Sequence, residues 1–130
     1  MKTIDSNLLF QDLCSRLPYN TIEVEYCGDN YGLVGISHGR CILCKKFSSI
    51  TLDICPLVED IKPYLFPLSS MTEEQKIIYG DLFYATVSTD PSYALDRINE
   101  LIDWLNANHF DYRGLIPKGL AIDCTNLNIY

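Results

Sequence analysis

Residues 90–107 constrain the fold most, because they carry nearly every signal of an amphipathic helix. Asp90 is a favourable N-cap, and Pro91 has the fixed φ that suits the first helical position. Apolar residues then recur at the i, i+3, i+4, i+7 spacing that places them on one helix face. This pattern predicts a helix from about Pro91 to about Ala107. The apolar residues that it predicts to be buried are Leu95, Ile98, Leu101, Ile102 and Leu105.

The first half of the chain predicts one helix followed by a sheet. An apolar stripe of Leu8, Leu9, Leu13 and Leu17 indicates a helix that Asp5 or Ser6 caps and Pro18 ends. Alternating residues then indicate strands at Thr21–Cys27, Leu33–Ser37, Arg40–Phe47 and Ile50–Cys55. Gly28–Gly32 is rich in turn residues and predicts the first hairpin loop. A small four-stranded antiparallel sheet follows, for which an SH3-like barrel is one compatible arrangement.

The second half is predicted to be mainly helical. Pro56, Pro63 and Pro67 interrupt the chain after the sheet, and Ser70 to Glu73 fits a capping box that opens a helix with Ile77 and Ile78 inward. Gly80–Ser88 fits either a helix or a strand. We therefore predict a single α+β domain over residues 1–130. Residues 1–68 supply a helix and an antiparallel sheet, and residues 69–130 supply two or three packed helices.

The net charge of −7 is concentrated in one region. Between Met71 and Asp111, two basic residues face eight carboxylates, which gives a local charge of −6. Such a surface repels phosphate backbones, so we expect no direct binding of nucleic acid. It suits a basic partner or simply a solvated helix face. The carboxylates are Glu73, Glu74, Asp81, Asp90, Asp96, Glu100, Asp103 and Asp111.

The location of the protein is predicted from what the sequence lacks. The polar start has no continuous apolar leader segment, and no apolar run approaches the roughly 18 residues that span a bilayer. We expect a cytoplasmic protein without a membrane partner. The six cysteines lack regular spacing, which favours reduced and mostly buried thiols.

A zinc site is the main metal hypothesis to weigh. Cys41 and Cys44 form a C-x-x-C with His38 and Cys27 upstream, and four soft ligands can hold zinc. A strand, however, directs Cys41 and Cys44 to opposite faces. The sequence therefore predicts no metal, and it offers no motif for a cofactor.

The densest polar and aromatic cluster follows the predicted helix, at residues 104–114. His109 lies two residues from Asp111, an arrangement that can serve general-base catalysis, but no nucleophile or phosphate-binding motif accompanies it. We interpret the segment as a structural turn. In this interpretation His109 lies at the negative end of the helix dipole, and Asp111 and Arg113 bond nearby backbone groups. The candidate binding residues of the chain are Tyr31, Arg40, Trp104, His109, Tyr112 and Arg113.

Two segments resemble a known group of proteins. Ile61–Glu74 and Trp104–Ile116, about a quarter of the chain, are similar to small uncharacterised proteins of phages and integrated elements of gut anaerobic bacteria. The resemblance implies a phage or prophage origin and a location in the host cytoplasm. It implies no activity and no catalytic residue.

Two functional hypotheses remain open at this point. The first is a non-enzymatic interaction protein that binds a host or phage protein, for example as an inhibitor of a host enzyme or defence component. Its candidate surfaces are the acidic helix face and the C-terminal turn. The second is a protein that binds or sequesters a nucleotide-like ligand through Tyr31, Arg40 and Arg113. Either is compatible with a homo-oligomer.

Overall fold

The first element of the fold is an N-terminal helix. The computed structural model describes residues 3–19, 22–45 and 55–130. Helix α1 (Thr3–Arg16) ends before Pro18, as predicted, and buries Leu9 and Leu13. It begins earlier than predicted, so Asp5 lies within its first turn and does not act as its cap. An acidic residue there complements the positive end of the helix dipole.

Three antiparallel strands follow α1: β1 (Ile22–Tyr26), β2 (Asp29–Ser37) and β3 (Arg40–Lys45). The two-residue turns between them, Cys27–Gly28 and His38–Gly39, have positive φ at all four positions. This is the backbone of the type I′ turn, whose twist matches that of the flanking strands. The first loop is therefore shorter than predicted, and residues 29–32 belong to β2.

Strand β4 (Lys62–Pro67) changes the predicted sheet. It pairs antiparallel with β1, and parallel with the short strands β5 (Phe110–Asp111) and β6 (Ile122–Asp123). The described strands thus form one six-stranded mixed sheet in the order β3-β2-β1-β4-β5, with β6 also on β4. The predicted four-stranded antiparallel, SH3-like arrangement is wrong. Of the fourth predicted strand, residues 50–54 lie outside the described residues.

The prolines explain why β4 was not predicted. Pro63 and Pro67 lie near the two ends of the strand. A missing N–H is tolerated there, although the same residues in a sequence indicate a break.

The last two helices form an antiparallel αα-hairpin. Helix α2 (Glu73–Ala85) begins after Thr72, whose side chain and that of Gln75 bond each other's backbone N–H. The capping box is therefore shifted by two residues from the predicted one. Residues 80–85 are helical, which settles that ambiguity for most of the segment. Helix α3 (Pro91–Ala107) has the predicted bounds and the predicted Asp90 cap.

Two apolar clusters form the core. The first joins α1 to the sheet through residues such as Leu13, Val24 and Leu65. The second lies beneath the hairpin and contains Met71, Leu101, Leu105 and Phe110. In the described part of the chain, no helix has the length and apolar character needed to cross a membrane.

The hairpin extends beyond the second cluster, which corrects two predictions. On α3, Leu101 is 8% exposed but Leu95 is 61% and Ile98 is 40% exposed. On α2, Ile77 and Ile78 are exposed and not inward. Helical periodicity identifies the apolar stripe, but it does not say how far along the helix the rest of the protein covers it.

Candidate functional site

A buried ion pair connects α1 to the turn after α3. The Arg16 Nε and Nη2 atoms donate to the two Asp12 carboxylate oxygens at 2.8 and 3.1 Å, and both side chains are fully buried. Arg16 Nη2 also donates to the Phe110 carbonyl oxygen at 2.7 Å. Such bidentate pairing offsets much of the cost of burying the two charges. One arginine therefore fixes the position of β5 against α1.

Arg113 reaches the same carboxylate from the outside. Its Nη1 donates to Asp12 Oδ1 and to Ser15 Oγ, both at 2.9 Å. The Tyr112 ring lies between the two arginines, with guanidinium carbons 5.2 Å (Arg16) and 4.7 Å (Arg113) from its centroid. The prediction that Arg113 bonds nearby backbone groups is wrong, because its partners lie about a hundred residues away in the sequence.

His109 is buried against Tyr130. The two rings are stacked with centroids 3.6 Å apart, and the Tyr130 hydroxyl donates to the Tyr64 carbonyl oxygen and accepts from the Glu23 N–H. Burial, with a smaller contribution from the Arg16 charge, lowers the pKa of His109 to about 4. His109 is therefore neutral near pH 7. The predicted stabilisation of the helix dipole by a cationic His109 does not operate at that pH.

Asp111 has the predicted role of bonding nearby backbone groups. The two Asp111 carboxylate oxygens each accept a backbone hydrogen bond at 2.9 Å, from Leu115 and from Ile116. Gly114 has φ +73°, which side chains resist, and Phe110 and Leu115 are buried in the core. Contacts within the turn at residues 109–116 thus add to those that join it to α1 and to Tyr130. Both carboxylate oxygens of Asp111 are occupied by backbone N–H groups.

The six predicted binding residues do not form one site. Trp104, His109, Tyr112 and Arg113 gather around β5, where Trp104 stacks on Phe110 with centroids 5.6 Å apart. Tyr31 and Arg40 lie on β2 and β3, which strands β1 and β4 separate from β5.

Tyr31 and Arg40 have local contacts of their own. Tyr31 is buried, with the Lys45 ammonium 4.5 Å from its ring centroid, and Arg40 Nη1 donates to the Cys55 carbonyl oxygen at 3.0 Å. The structure does not bring Tyr31, Arg40 and Arg113 together around a common ligand.

The C-x-x-C pair belongs to β3. Cys41 is fully buried, Cys44 is half-buried, and burial raises the pKa of the Cys41 thiol to about 12. Among the described residues, no group of three or more His, Cys, Asp or Glu side chains is arranged to hold a metal ion.

A half-open groove of about 250 Å³ lies between β4, β5 and the start of α2. Phe66 and Phe110 supply aromatic surface, and the hydroxyls and amide around them are uncharged. The other lining residues are Ser70, Thr72, Gln75 and Thr125. Lysine and arginine are missing from this lining, which disfavours a phosphate-bearing ligand here.

The most unusual surface is the tip of the α2–α3 hairpin, residues 83–96. Five large apolar side chains there are about half exposed or more, and Tyr84 (80%) and Val87 (75%) are the most exposed of them. They are Phe83, Tyr84, Val87, Tyr93 and Leu95. The second core cluster ends at Leu82 on α2 and resumes at Leu101 on α3, so the tip contributes to neither cluster. Concentrated apolar exposure of this kind is typical of an interaction site.

Sequence reasoning missed Asp12, Arg16, Tyr130 and the hairpin tip. Asp12 and Arg16 have i, i+4 spacing, but the same spacing is common on solvated helices. The α2 part of the tip had a signal in the sequence: from Ile77 to Tyr84, apolar residues occur on every side of α2, which is unusual for a helix that packs on one neighbour.

Comparison of the chain with protein-family models, with curated proteins and with solved structures gives no match.

Proposed function

We propose that this chain is a non-enzymatic interaction protein that binds another protein through the tip of its α2–α3 hairpin. The observation that carries the proposal is the exposure of five apolar side chains on the adjoining ends of α2 and α3 and on the loop between them: Phe83, Tyr84, Val87, Tyr93 and Leu95. Aromatic side chains bury a large area with few rotatable bonds, and they are enriched among the residues that dominate binding energy.

The other predicted surface, the C-terminal turn, supports binding less well. Arg113 is committed to Asp12 and Ser15, and His109 is buried against Tyr130. A partner would have to break these contacts to use those side chains. The tip residues need no such rearrangement, because they already lie at the surface.

The biological form that we propose is a phage or prophage protein that inhibits a host enzyme or defence component in the host cytoplasm. The support for this setting is the resemblance of residues 61–74 and 104–116 to small phage and prophage proteins. A projecting helical tip suits an inhibitor, because it can enter a groove of its target while the sheet remains outside.

A quantitative pull-down from the lysate of a gut anaerobic bacterium tests the proposal. The wild-type protein is compared with a Tyr84→Ser/Leu95→Ser variant and with a control, Val34→Ser, which removes an exposed apolar residue from β2. We expect a stoichiometric partner that the wild type and the control retain and the tip variant loses. Retention by all three, or no partner above background, would overturn the proposal.

A further inference from the structure

The charge around the hairpin tip is one-sided. Asp90 and Asp96 lie within the tip and Asp81 lies at its base, and all three are exposed. From Ile77 to Asp96 the sequence contains no lysine and no arginine. The exposed apolar side chains are thus accompanied by three carboxylates and by no basic residue in this stretch.

We infer that the tip recognises a protein segment that carries apolar anchors flanked by lysine or arginine, such as an amphipathic basic helix. The inference rests on the proposed function and specifies the partner's chemistry. The apolar residues of the tip supply the area to be buried. The aspartates around them favour a partner whose residues next to the apolar anchors are positively charged. Complementary charge steers the encounter and suppresses partners of the wrong sign.

A second copy of this chain is the obvious competing occupant. Two tips facing each other would bring six carboxylates together, without a basic residue from residues 77–96 of either copy. Like charges across an interface oppose association, and desolvation makes the repulsion stronger. An anionic lipid surface and a nucleic acid are disfavoured for the same reason.

The nearest basic residues, Lys76 and Arg97, lie at the two ends of this stretch, and each is paired with a glutamate. Lys76 pairs with Glu73 at 3.2 Å, and Arg97 pairs with Glu100 at 2.9 Å while its guanidinium carbon lies 5.2 Å from the Tyr93 ring centroid. Each of these cations is thus partnered within its own helix. Asp81, Asp90 and Asp96 are in none of the ion pairs found among the described residues.

Two synthetic amphipathic helical peptides test the inference by fluorescence anisotropy. They share length and leucine stripe, but one has lysine on both flanks of the stripe and the other has glutamate. A third peptide has the lysines but a scrambled leucine stripe. We expect the lysine-flanked peptide to bind at least about 10-fold more tightly than the other two, with a preference that falls as salt rises.

Matched variants locate the effect. Asp81→Lys/Asp96→Lys reverses the charge at the tip. The control, Asp29→Lys/Glu59→Lys, makes the same change in net charge at exposed residues outside the α2–α3 hairpin. Only the first pair should reverse the peptide preference. The inference would be overturned if the two stripe peptides bound equally or if the scrambled peptide bound. It would also be overturned if both double variants reversed the preference or if no peptide bound at all.

The failure of the inference and that of the proposed function are distinguishable. If binding of the pull-down partner still depends on Tyr84 and Leu95 but the protein shows no preference for the lysine-flanked peptide, the tip binds proteins. Only the inferred preference for a basic partner is then wrong. Sedimentation that shows a dimer abolished by Tyr84→Ser/Leu95→Ser would assign the tip to a second copy and overturn the inference. A partner that the Tyr84→Ser/Leu95→Ser variant retains as well as the wild type does would overturn the proposed function itself.

Discussion

The His109 imidazole lies flat against the Tyr130 ring, with centroids 3.6 Å apart and planes inclined by 11°. This contact joins the second residue after α3 to Tyr130, the last described residue. It buries an ionisable ring whose Nδ1 has no hydrogen-bond partner among the described residues. The stacking is therefore compatible with the neutral imidazole and opposes its protonation.

The first prediction concerns pH. Burial lowers the pKa of His109 to about 4, so the unfolded chain takes up this proton at a higher pH than the folded one. The stabilisation that follows is fully present above about pH 6.5 and is lost as the pH falls toward 4. Its size is on the order of 3 kcal/mol. Urea unfolding at a series of pH values measures it.

His109→Asn is the appropriate control for that series. His109 has φ +61°, a conformation that asparagine tolerates and alanine resists, so an alanine variant would add backbone strain. The asparagine variant should lose the pH dependence between about 6.5 and 5, while both proteins share the carboxylate titrations below that range. An unchanged pH dependence in the variant would contradict the prediction.

The second prediction concerns the buried ion pair. Asp12→Ala leaves the buried Arg16 guanidinium without its carboxylate and should cost about 3–5 kcal/mol of unfolding free energy. Asp12→Leu/Arg16→Met removes both charges and should cost less than the single variant. Arg113→Ala, which removes a partly exposed partner, should cost about 1 kcal/mol. Denaturant unfolding of the three variants gives the order, and a double variant less stable than Asp12→Ala would contradict it.

The third prediction compares two leucines on one helix. Leu101→Ala should cost about 2–5 kcal/mol, because it opens a cavity in the second core cluster. Leu95→Ala should change the unfolding free energy by less than about 0.5 kcal/mol, because its side chain is 61% exposed. Equal costs measured by thermal or urea unfolding would mean that the tip is buried, for instance in an oligomer.

The fourth prediction compares two glycines. Gly80 is helical, and a Cβ added there meets no atom within 4 Å, so Gly80→Ala should stabilise the protein by about 0.5–1 kcal/mol. Gly114 also has space for a Cβ, but its φ of +73° makes Gly114→Ala unfavourable by about 1–2 kcal/mol. Opposite shifts in melting temperature would confirm both, and shifts of the same sign would contradict this account.

The sequence predicts best those features that local chemistry specifies. Asp90 and Pro91 determine where α3 begins, and Gly39 suits the positive φ of the turn between β2 and β3. The α+β class follows from such local signals. The positions of Gly114 and Asp111 in the last turn were predictable for the same reason.

Contacts between distant residues could not be predicted in this way. Arg16 and Phe110 are separated by 94 positions, and nothing local to either residue identifies the other. The parallel pairing of β4 likewise depends on two-residue strands that have no periodicity to detect. The hairpin tip was mispredicted because an apolar stripe predicts burial until the neighbouring elements are placed.

The pairing of β4 also has a consequence for synthesis on the ribosome. Strand β4 can pair with β1 as soon as residue 67 has emerged, but its pairings with β5 and β6 must wait for residues 110–111 and 122–123. Translation therefore leaves an open strand edge on a nascent chain that already carries much of its apolar surface. We expect the interval between the emergence of β4 and that of the tail to be the period in which this protein most needs a chaperone.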